Sequence, residues 1–366
     1  MNKIILLAAA IMLYSCGDDG FYGKSLPADR EGGGYKSVML PKYRLPHEKL
    51  KAQKGDQYSD YRLANPEFYA ITATPSGTFR HHNQWEDSQV FFIPYMKSLP
   101  AAIKNTITDI VKNTIDYIPV MVAVTSQSNA DDFVVKLKNA GVSQAVLDEY
   151  LSFFIVALDS IWLIDYGPIP LVNGKNEIAF ADFKYYHYRI YDDAYPTKLG
   201  NYMGVNTFRA PMYWEGGNFQ GDGEGTCYTS QGTLWENAGY SWDDIKKILK
   251  DYLKCDNLII LKPLAGEGTA HIDMYMKLGA KDVVVVGNYT EAQDSQNKKV
   301  MDDNIQILDA VSFNDGKDLK VFVIPMPDNK GSYEKIWRTY ANSALANGLN
   351  LVPVYSVNKD LEALAM

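Results

Sequence analysis

Short apolar segments alternate with longer amphipathic ones along most of this chain, and this alternation limits the folds open to it. Val120–Val124 and Val283–Val286 are compact runs of apolar, largely β-branched residues, which is typical of buried strands. Between such runs, as over residues 98–111, apolar side chains recur at the spacing of one helix face. The pattern predicts a mixed α/β domain of repeated strand–helix–strand units, with several antiparallel strand pairs and too few helices for a doubly wound sheet.

The individual elements follow from the same patterns and from their flanking residues. Helices are predicted to start at Ser98, to run from Asn129 to Gly141, to start at Ser241 with Asp244 completing a capping box, and to span residues 292–310. Strands are predicted at residues 90–94, 120–124, 153–158, 258–261, 282–286 and 319–325, and a hairpin over 342–355 turns at Asn347-Gly348.

The N-terminus has the pattern of an export signal. Lys3 precedes the apolar run Ile4–Leu13, which is too short to span a bilayer. The ending Leu13–Cys16 resembles a bacterial lipobox, in which Cys16 becomes the lipidated first residue. An ordinary signal with an incidental cysteine is the alternative, favoured by the bulk of Tyr14. We expect an exported protein of the bacterial cell envelope, attached to the membrane through the lipid alone.

The chain divides into a signal peptide (1–15), a tether with a polar lead-in (16–79) and a main domain (80–366). The glycine-rich part of the tether predicts flexibility, and residues 36–79 are interpreted as extended. The chain has 44 acidic and 36 basic residues, a net charge of −8, and no basic run, so nucleic-acid binding is disfavoured. Its three cysteines are too few for a disulfide framework, and its 26 tyrosines fit an aromatic-lined cleft.

Candidate chemistry lies where polar residues are interspersed with glycine, proline and aromatic residues at predicted strand ends. His271 and Asp273 stand two residues apart, so on a strand both side chains would project from one face, where they could bind a cation and transfer a proton. The alternative is a histidine bonded to a loop carbonyl beside a solvated aspartate. A metal site is disfavoured because no second histidine or cysteine stands near.

Two further carboxylates are candidates for the same cleft. Asp165 follows an apolar segment and precedes Gly-Pro, while Glu215 precedes two glycines that let the backbone approach a ligand closely. Each has the alternative role of a turn residue. Trp162, Asn218 and Asn342 are candidate ligand contacts nearby. Carboxylates, an imidazole and aromatic rings together suggest a cationic ligand, and paired carboxylates match the planar fork of a guanidinium.

Taken in order, these segments resemble the guanidino-group-modifying pentein superfamily, and within it the bacterial peptidylarginine deiminase and agmatine deiminase family. The resemblance covers about residues 80–366. It departs from the family pattern at Ile164, where the family has arginine, and at Ala270, where it has glycine. The matching segments are Trp85-Glu86, Trp162–Pro168, Glu215–Thr226, Ala270–Asp273, Tyr340–Asn342 and Leu351–Pro353.

The resemblance implies an α/β propeller of five ββαβ units around a pseudo-fivefold axis, with the last unit expected to be incomplete. It also implies that Asp165 and Asp273 hold a guanidinium, that a cysteine thiolate attacks its carbon, and that His271 protonates the departing ammonia and then activates water. Glu215, Asn218, Trp162 and Asn342 would contact the substrate. The products are a ureido group and ammonia, and no cofactor is implied.

The family's nucleophile, in a Gly-rich His-Cys segment beyond the Leu-Val-Pro strand, has no counterpart in this sequence. Cys255 is interpreted as a structural thiol, and Cys227 is a weak candidate for a substitute nucleophile. Either the sequence is truncated or the protein is a relative without catalysis.

The first hypothesis is therefore a deiminase of peptidyl-arginine, arginine or agmatine (which would lead to citrulline or towards putrescine). The second is an inactive envelope lipoprotein that binds a cationic guanidine, amine or peptide. The oligomeric state is not predictable.

Overall fold

The computed structural model describes residues 3–7, 57–313, 315–329, 337–355, 360 and 363. Single turns of 3₁₀ helix lie at Pro66–Phe68 and Gly216–Asn218. The strands in chain order are β1 Lys3–Leu7, β2 Arg80–His81, β3 Phe91–Tyr95, β4 Val120–Val124, β5 Leu151–Ile155, β6 Ile169–Val172, β7 Ile178–Lys184, β8 Asn206–Tyr213, β9 Gln220–Gly221, β10 Thr226–Ser230, β11 Asn257–Leu261, β12 Met276–Ala280, β13 Val283–Asn288, β14 Lys320–Pro325, β15 Ala344–Ala346 and β16 Leu349–Pro353. The helices are α1 Gln57–Ala64, α2 Ala101–Thr114, α3 Gln127–Asn139, α4 Gln144–Tyr150, α5 Leu163–Tyr166, α6 Ile190–Asp193, α7 Tyr195–Met203, α8 Gly232–Glu236, α9 Trp242–Leu253 and α10 Glu291–Asp309.

The described strands form five small sheets, and four of these share one topology. In each of the four, an antiparallel pair is extended by a third strand that runs parallel to the second. The pairs are β6–β7, β9–β10, β12–β13 and β15–β16, and the added strands are β8, β11, β14 and β1. The sheet β3–β4–β5 is parallel throughout, and β2 adds an antiparallel edge to β6. The repetition confirms the predicted mixed α/β fold, whereas an arrangement around a fivefold axis stays a prediction.

The parallel sheet β3–β4–β5 shows why the apolar runs become buried strands. Val120, Val122 and Val124 of its central strand are fully buried, because α2 and α3 pack their apolar faces against it. A parallel sheet covered by helices needs near-continuous apolar strands, which is what the run 120–124 provides. The buried residues of this layer include Ile107 and Phe133 of the two helices.

Local signals correctly placed several element ends. The Ser241 hydroxyl accepts a hydrogen bond from the Asp244 amide at 3.2 Å, and the Asp244 carboxylate accepts one from the Ser241 amide at 2.8 Å. This is the predicted capping box at the start of α9. The hairpin β15–β16 turns at Asn347 and Gly348, both of which have positive φ.

Several element boundaries differ from the sequence prediction; the helix predicted from Asn129, for example, begins at Gln127. The helix predicted from Ser98 begins at Ala101, after Pro100. The strand predicted at 153–158 lies at Leu151–Ile155 instead, because α4 ends at Tyr150 and the chain enters the sheet directly. The short α4 was not predicted, since seven residues offer too little apolar periodicity.

The interpretation of residues 36–79 as extended is wrong for residues 57–68, which form α1 and a 3₁₀ turn. This segment is fixed to the domain by polar contacts that periodicity does not reveal. Arg62 forms an ion pair with Asp193 at 2.8 Å, and the Tyr69 hydroxyl donates to the Ile190 carbonyl at 2.8 Å. The Thr72 hydroxyl accepts from the Arg209 amide at 2.8 Å. The lead-in is therefore part of the folded domain from about residue 57.

Most of the predicted signal peptide and Cys16 lie outside the described residues; within the signal, β1 pairs parallel to β16. The division of the chain into signal, lead-in and domain stays a prediction. In the part of the chain that the structure describes, none of the helices is long and apolar enough to cross a membrane.

Candidate active site

Three carboxyl groups and one imidazole converge on the backbone of Gly217. The Gly217 amide donates to Asp165 Oδ1 at 3.2 Å, and its carbonyl accepts from the Asp273 amide at 3.1 Å. A Cβ atom built on Gly217 would lie 2.5 Å from His271 Nδ1, 2.7 Å from Asp165 Oδ1 and 2.9 Å from Asp273 Oδ2. His271 Nε2 hydrogen-bonds Glu215 Oε2, and its Nδ1 lies 3.6 Å from Asp165 Oδ1. Only glycine allows His271, Asp165 and Asp273 to approach this closely, and Glu215 joins them through its hydrogen bond with His271.

The repeated topology explains how residues so far apart in sequence meet. Asp165 lies in the segment after β5, Glu215 in the segment after β8, and His271 with Asp273 in the segment after β11. In each case the preceding strand is the last of its sheet and runs parallel to its neighbour. Asn342 follows β14 in the same way and forms a hydrogen bond with Asp273. Four sheets thus each contribute to one site, at the carboxyl ends of their parallel strands.

Burial or the charges of neighbouring groups raise the pKa values of Asp165, Asp273 and His271. Burial raises the pKa of Asp165 to about 8. The imidazole of His271 lowers this pKa, whereas the charges of Glu215 and Asp273 raise it further. Burial also raises the pKa of Asp273 to about 6. Burial alone would lower the pKa of His271, but Asp165, Glu215 and the hydrogen bond with Glu215 outweigh it and raise the pKa to about 10. The site therefore holds an imidazolium among carboxyl groups, and a cationic ligand would stabilise the ionised form of these groups.

A pocket leads from the surface to His271 and Glu215. The Tyr186 hydroxyl hydrogen-bonds Glu215, and burial of this phenol raises its pKa well above the usual value. Lys184 and Glu236 add charges of opposite sign to the pocket wall. The lining residues are Lys184, Tyr185, Tyr186, Tyr213, Trp214, Glu215, Asn218, Thr233, Glu236, Thr269 and His271.

The model of the Porphyromonas-type peptidyl-arginine deiminase family matches residues 85–366. The chain belongs to this family. It is 24% identical over 254 residues to the agmatine deiminase of Ectopseudomonas mendocina, covering 60% of this chain and 69% of that one. A solved agmatine deiminase of Enterococcus faecalis has a TM-score of 0.69 at 22% identity, over 80% of this chain and 90% of the other. A solved agmatine deiminase of C. jejuni has a TM-score of 0.64 at 18% identity, over 78% and 85%. These likenesses confirm the predicted family and the fold class.

The structure brings together the four charged residues that the sequence singled out, but not by the predicted route. His271 and Asp273 do not lie on a strand: they are in a turn, where the Tyr275 amide donates to the Ile272 carbonyl at 3.1 Å. Ala270 precedes them with a φ of 61°, which ends any extended conformation. Asp165 lies in the short helix α5, within the segment after β5, rather than directly at the end of a strand. Their proximity is a tertiary effect, because three different sheets place these four side chains.

The predicted ligand contacts have different surroundings. Asn218 lines the pocket, but its side chain donates to Thr233 Oγ1 at 3.1 Å and accepts from the Ser230 amide at 3.1 Å. Trp162 is absent from the described residues that line the pocket; it packs into an apolar cluster, and its carbonyl accepts from the Asp165 amide at 2.9 Å. Trp162 therefore supports the turn that carries Asp165. The substrate contacts predicted for these residues stay predictions.

Several pocket residues escaped the sequence reasoning. Tyr185, Tyr186 and Tyr213 lie at or after strand ends without a motif, and only the abundance of tyrosine pointed to an aromatic cleft. Lys184 ends β7 as an ordinary polar residue would, and nothing in the local sequence connects it with Glu215.

The interpretation of Cys255 as a structural thiol and Cys227 as a candidate nucleophile is wrong, because the two form a disulfide. Their Cα atoms lie 5.5 Å apart. The bridge connects Cys227, near the start of β10, with Cys255, which lies just before β11. Both side chains are buried. A disulfide-bonded sulfur cannot attack a guanidinium carbon, so neither residue supplies the family's thiolate.

Two groups of metal-type ligands occur among the described residues, and neither suits a metal as it stands. In the first, His81 has both ring nitrogens in hydrogen bonds, to the Leu253 carbonyl and from the Gly223 amide, while the two sulfurs are joined to each other. The second is Asp165, Glu215 and His271. In this group both ring nitrogens of His271 face carboxyl oxygens, Nε2 in a hydrogen bond with Glu215 and Nδ1 at 3.6 Å from Asp165 Oδ1, so neither nitrogen is open to a metal.

Proposed function

We propose that this protein binds the guanidinium of an arginine-type compound in this site and deiminates it to a ureido group and ammonia. The observation that carries the proposal is the convergence of Asp165, Asp273 and the Glu215–His271 pair around Gly217. Two buried carboxyl groups match the planar donors of a guanidinium, and binding the cation offsets the cost of their burial.

The chemistry follows the family mechanism. A thiolate adds to the guanidinium carbon, the tetrahedral adduct expels ammonia, and the thiouronium is hydrolysed by water. His271 is suited to the proton transfers because its raised pKa keeps it protonated for the leaving group. Once ammonia has taken that proton, the imidazole can accept one from the attacking water. Glu215 holds the ring through Nε2 in both steps.

The thiolate is the component that the described residues do not provide, since Cys227 and Cys255 are paired. The repeated topology supports a location for it. In four sheets, a site residue follows the last parallel strand, and in the sheet of β15 and β16 the corresponding strand is the one that pairs parallel to β16. β1 takes this position but lies within residues 1–15, the proposed signal peptide, so we propose that in the mature protein the nucleophile follows another strand that pairs parallel to β16.

A second candidate function is binding of a guanidino compound without turnover. It is favoured by the disulfide, which removes both described thiols from reaction. Asp165, Asp273 and Glu215 would serve this function without a nucleophile, although it assigns no task to the proton transfer of His271.

The test measures binding and turnover separately. Arginine, agmatine and an arginine-containing peptide are each added to the chain and to the product of the complete reading frame, with calorimetry for binding and colorimetric detection of the ureido product. Deimination requires binding together with product formation, and Asp165→Asn and His271→Ala should abolish the formation of product. Binding without product from either protein supports the second function. Absence of binding by all three compounds contradicts both, and the relative rates decide between the substrates.

A further inference from the structure

The loop before His271 contains a residue in a conformation that its side chain disfavours. Ala270 has a φ of 61°, in the left-handed region, which the Cβ atom of an L-residue disfavours. Gly266, four residues earlier in the same loop, also has a positive φ, but as a glycine it tolerates this. Something outside Ala270 must therefore hold its backbone in place.

The carboxylate of Glu267 provides this support on the amide side of Ala270. It accepts hydrogen bonds from the Ala270 amide at 2.6 Å, from the Thr269 amide at 2.9 Å and from the Thr269 hydroxyl at 2.9 Å. Hydrogen bonds to an ionised acceptor are roughly twice as strong as neutral ones. The half-buried Glu267 thus closes the loop upon itself immediately before His271.

Ser230 provides a matching contact on the carbonyl side. Its hydroxyl donates to the Ala270 carbonyl at 2.5 Å and accepts from the Gly232 amide at 3.0 Å. Ser230 is fully buried at the end of β10. Both backbone polar groups of Ala270 are therefore fixed, one by Glu267 and the other by Ser230.

The conformation of Ala270 determines where the next side chain points. His271 must direct Nε2 at Glu215 while Nδ1 stays 3.6 Å from Asp165 Oδ1. A change of Ala270 to a right-handed or extended conformation would turn the peptide that carries His271 and move the imidazole away from both carboxyl groups. Glu267 itself does not line the pocket of His271: it lines a separate depression with Trp235 and Leu264.

We propose that Glu267 is a positioning residue that holds Ala270 in the left-handed conformation and thereby orients the imidazole of His271. Glu267 acts through the backbone and touches neither the substrate nor the reacting atoms. Its effect on turnover rests on the proposed function, whereas its effect on the His271 ring does not.

The test uses Glu267→Gln, Ala270→Gly and the double variant in the full chain. The primary measurement is the titration of His271 by NMR with labelled histidine, assigned among the five histidines with His271→Asn. In the unmodified protein the pKa is expected near 10. In Glu267→Gln it should fall towards the ordinary histidine value, because the ring leaves Asp165 and Glu215. In the double variant glycine removes the steric penalty, so the high value should return at least in part.

Turnover is the secondary measurement. Misplacement of a catalytic group by about 1 Å can lower the rate about 100-fold. We therefore expect kcat of Glu267→Gln to fall by this order while KM changes little. In the double variant with Ala270→Gly, kcat should recover. If Glu267→Gln does not fold, Ser230→Ala is used instead, because it removes the hydrogen bond to the Ala270 carbonyl. It should lower the pKa of His271 and kcat in the same way, and Ala270→Gly should restore both.

Two results would overturn the proposal: an unchanged His271 titration in folded Glu267→Gln, or a lowered one that Ala270→Gly fails to restore. A merely structural role would lower the melting temperature and leave the titration where it is. If the titrations behave as expected but no protein forms product, the positioning role stands and the proposed deimination fails.

Discussion

At the scale of single residues, the candidate site depends most directly on Gly217. Its backbone contacts Asp165 and Asp273, and the space where a side chain would begin is occupied by the polar atoms of three residues. The sequence marked the pair Gly216-Gly217 as a place of close approach, but it did not reveal that the approaching groups are the protein's own carboxyl and imidazole groups.

We expect Gly217→Ala to abolish the binding of guanidino compounds while the protein stays folded. The new methyl group would lie within 3 Å of His271 Nδ1, Asp165 Oδ1 and Asp273 Oδ2, so these groups must separate. Calorimetry with arginine and agmatine measures the loss, and circular dichroism monitors the fold.

Gly279→Ala is the matched control, because a methyl group there meets nothing within 4 Å. It should leave the affinity unchanged. Equal affinities of Gly217→Ala and the unmodified protein would mean that the ligand does not bind among these residues.

The affinity for a guanidino compound should rise as the pH increases through the pKa of Asp273, about 6, and that of Asp165, about 8, and level off only about one pH unit above the second. The guanidinium stays charged throughout this range and prefers ionised carboxylates. Burial raises the pKa of Asp165 to about 8 and that of Asp273 to about 6, so lowering the pH protonates first Asp165 and then Asp273. Binding at pH 7 should accordingly release protons, which calorimetry in buffers of different ionisation enthalpy detects.

Asp165→Asn is the control for this pH dependence. It should weaken binding at pH 8 and remove the rise associated with Asp165, leaving the smaller dependence that Asp273 causes near pH 6. An affinity that falls as the pH rises from 6 to 8 would contradict the assignment of these carboxyl groups as the cation-binding pair.

At the scale of elements, a buried ion network ties β7, β8 and α6 to the lead-in helix α1. Arg209 donates to Asp182 at 2.8 Å and to Asp193 at 2.6 Å, and Arg62 reaches Asp193 from α1. Burial raises the pKa of Asp182 to about 7 even beside the guanidinium. The network therefore depends on Arg209 for its charge balance, and β8 leads directly into Glu215.

We expect Arg209→Met to lower the free energy of unfolding by about 3–5 kcal/mol, because it leaves the buried carboxylate of Asp182 without its counterion. The loss should be smaller at pH 5 than at pH 8, since the Asp182 carboxyl group can then be protonated. Urea denaturation at the two pH values measures the difference.

Lys247→Met serves as the comparison. Lys247 pairs with Asp251 on the surface of α9, where its side chain is 74% exposed. Exposed pairs within a helix contribute about 0.3–0.5 kcal/mol, so this change should be barely measurable. Similar losses for the two variants would show that the Arg209 network contributes little to stability.

At the scale of the whole molecule, the buried disulfide and the N-terminal pattern favour the same cellular location. Disulfides form and persist in oxidising environments outside the cytosol. The bridge between Cys227 and Cys255 is therefore consistent with the export that residues 1–15 suggest. We propose that the protein is an exported lipoprotein anchored through Cys16.

Expression of the complete chain in a bacterial host should yield a product that begins at Cys16, takes up labelled fatty acid and sediments with membranes. Cys16→Ser should abolish labelling, whereas Cys227→Ser with Cys255→Ser should not. Alkylation before and after reduction should show two cysteines protected until reduction. A labelled Cys16→Ser protein would overturn the proposed anchor.

The sequence by itself determined the repeated α/β units, the capping box of α9, the hairpin turn at Asn347-Gly348 and the family, because these depend on local periodicity, turn chemistry and ordered motifs. Only the tertiary structure decided that α1 packs on the domain, that Cys227 pairs with Cys255, and that His271 is presented by a left-handed Ala270 rather than by a strand. The first two depend on contacts between residues distant in sequence, and the conformation of Ala270 depends on both the nearby Glu267 and the distant Ser230, so packing sets the geometry of all three.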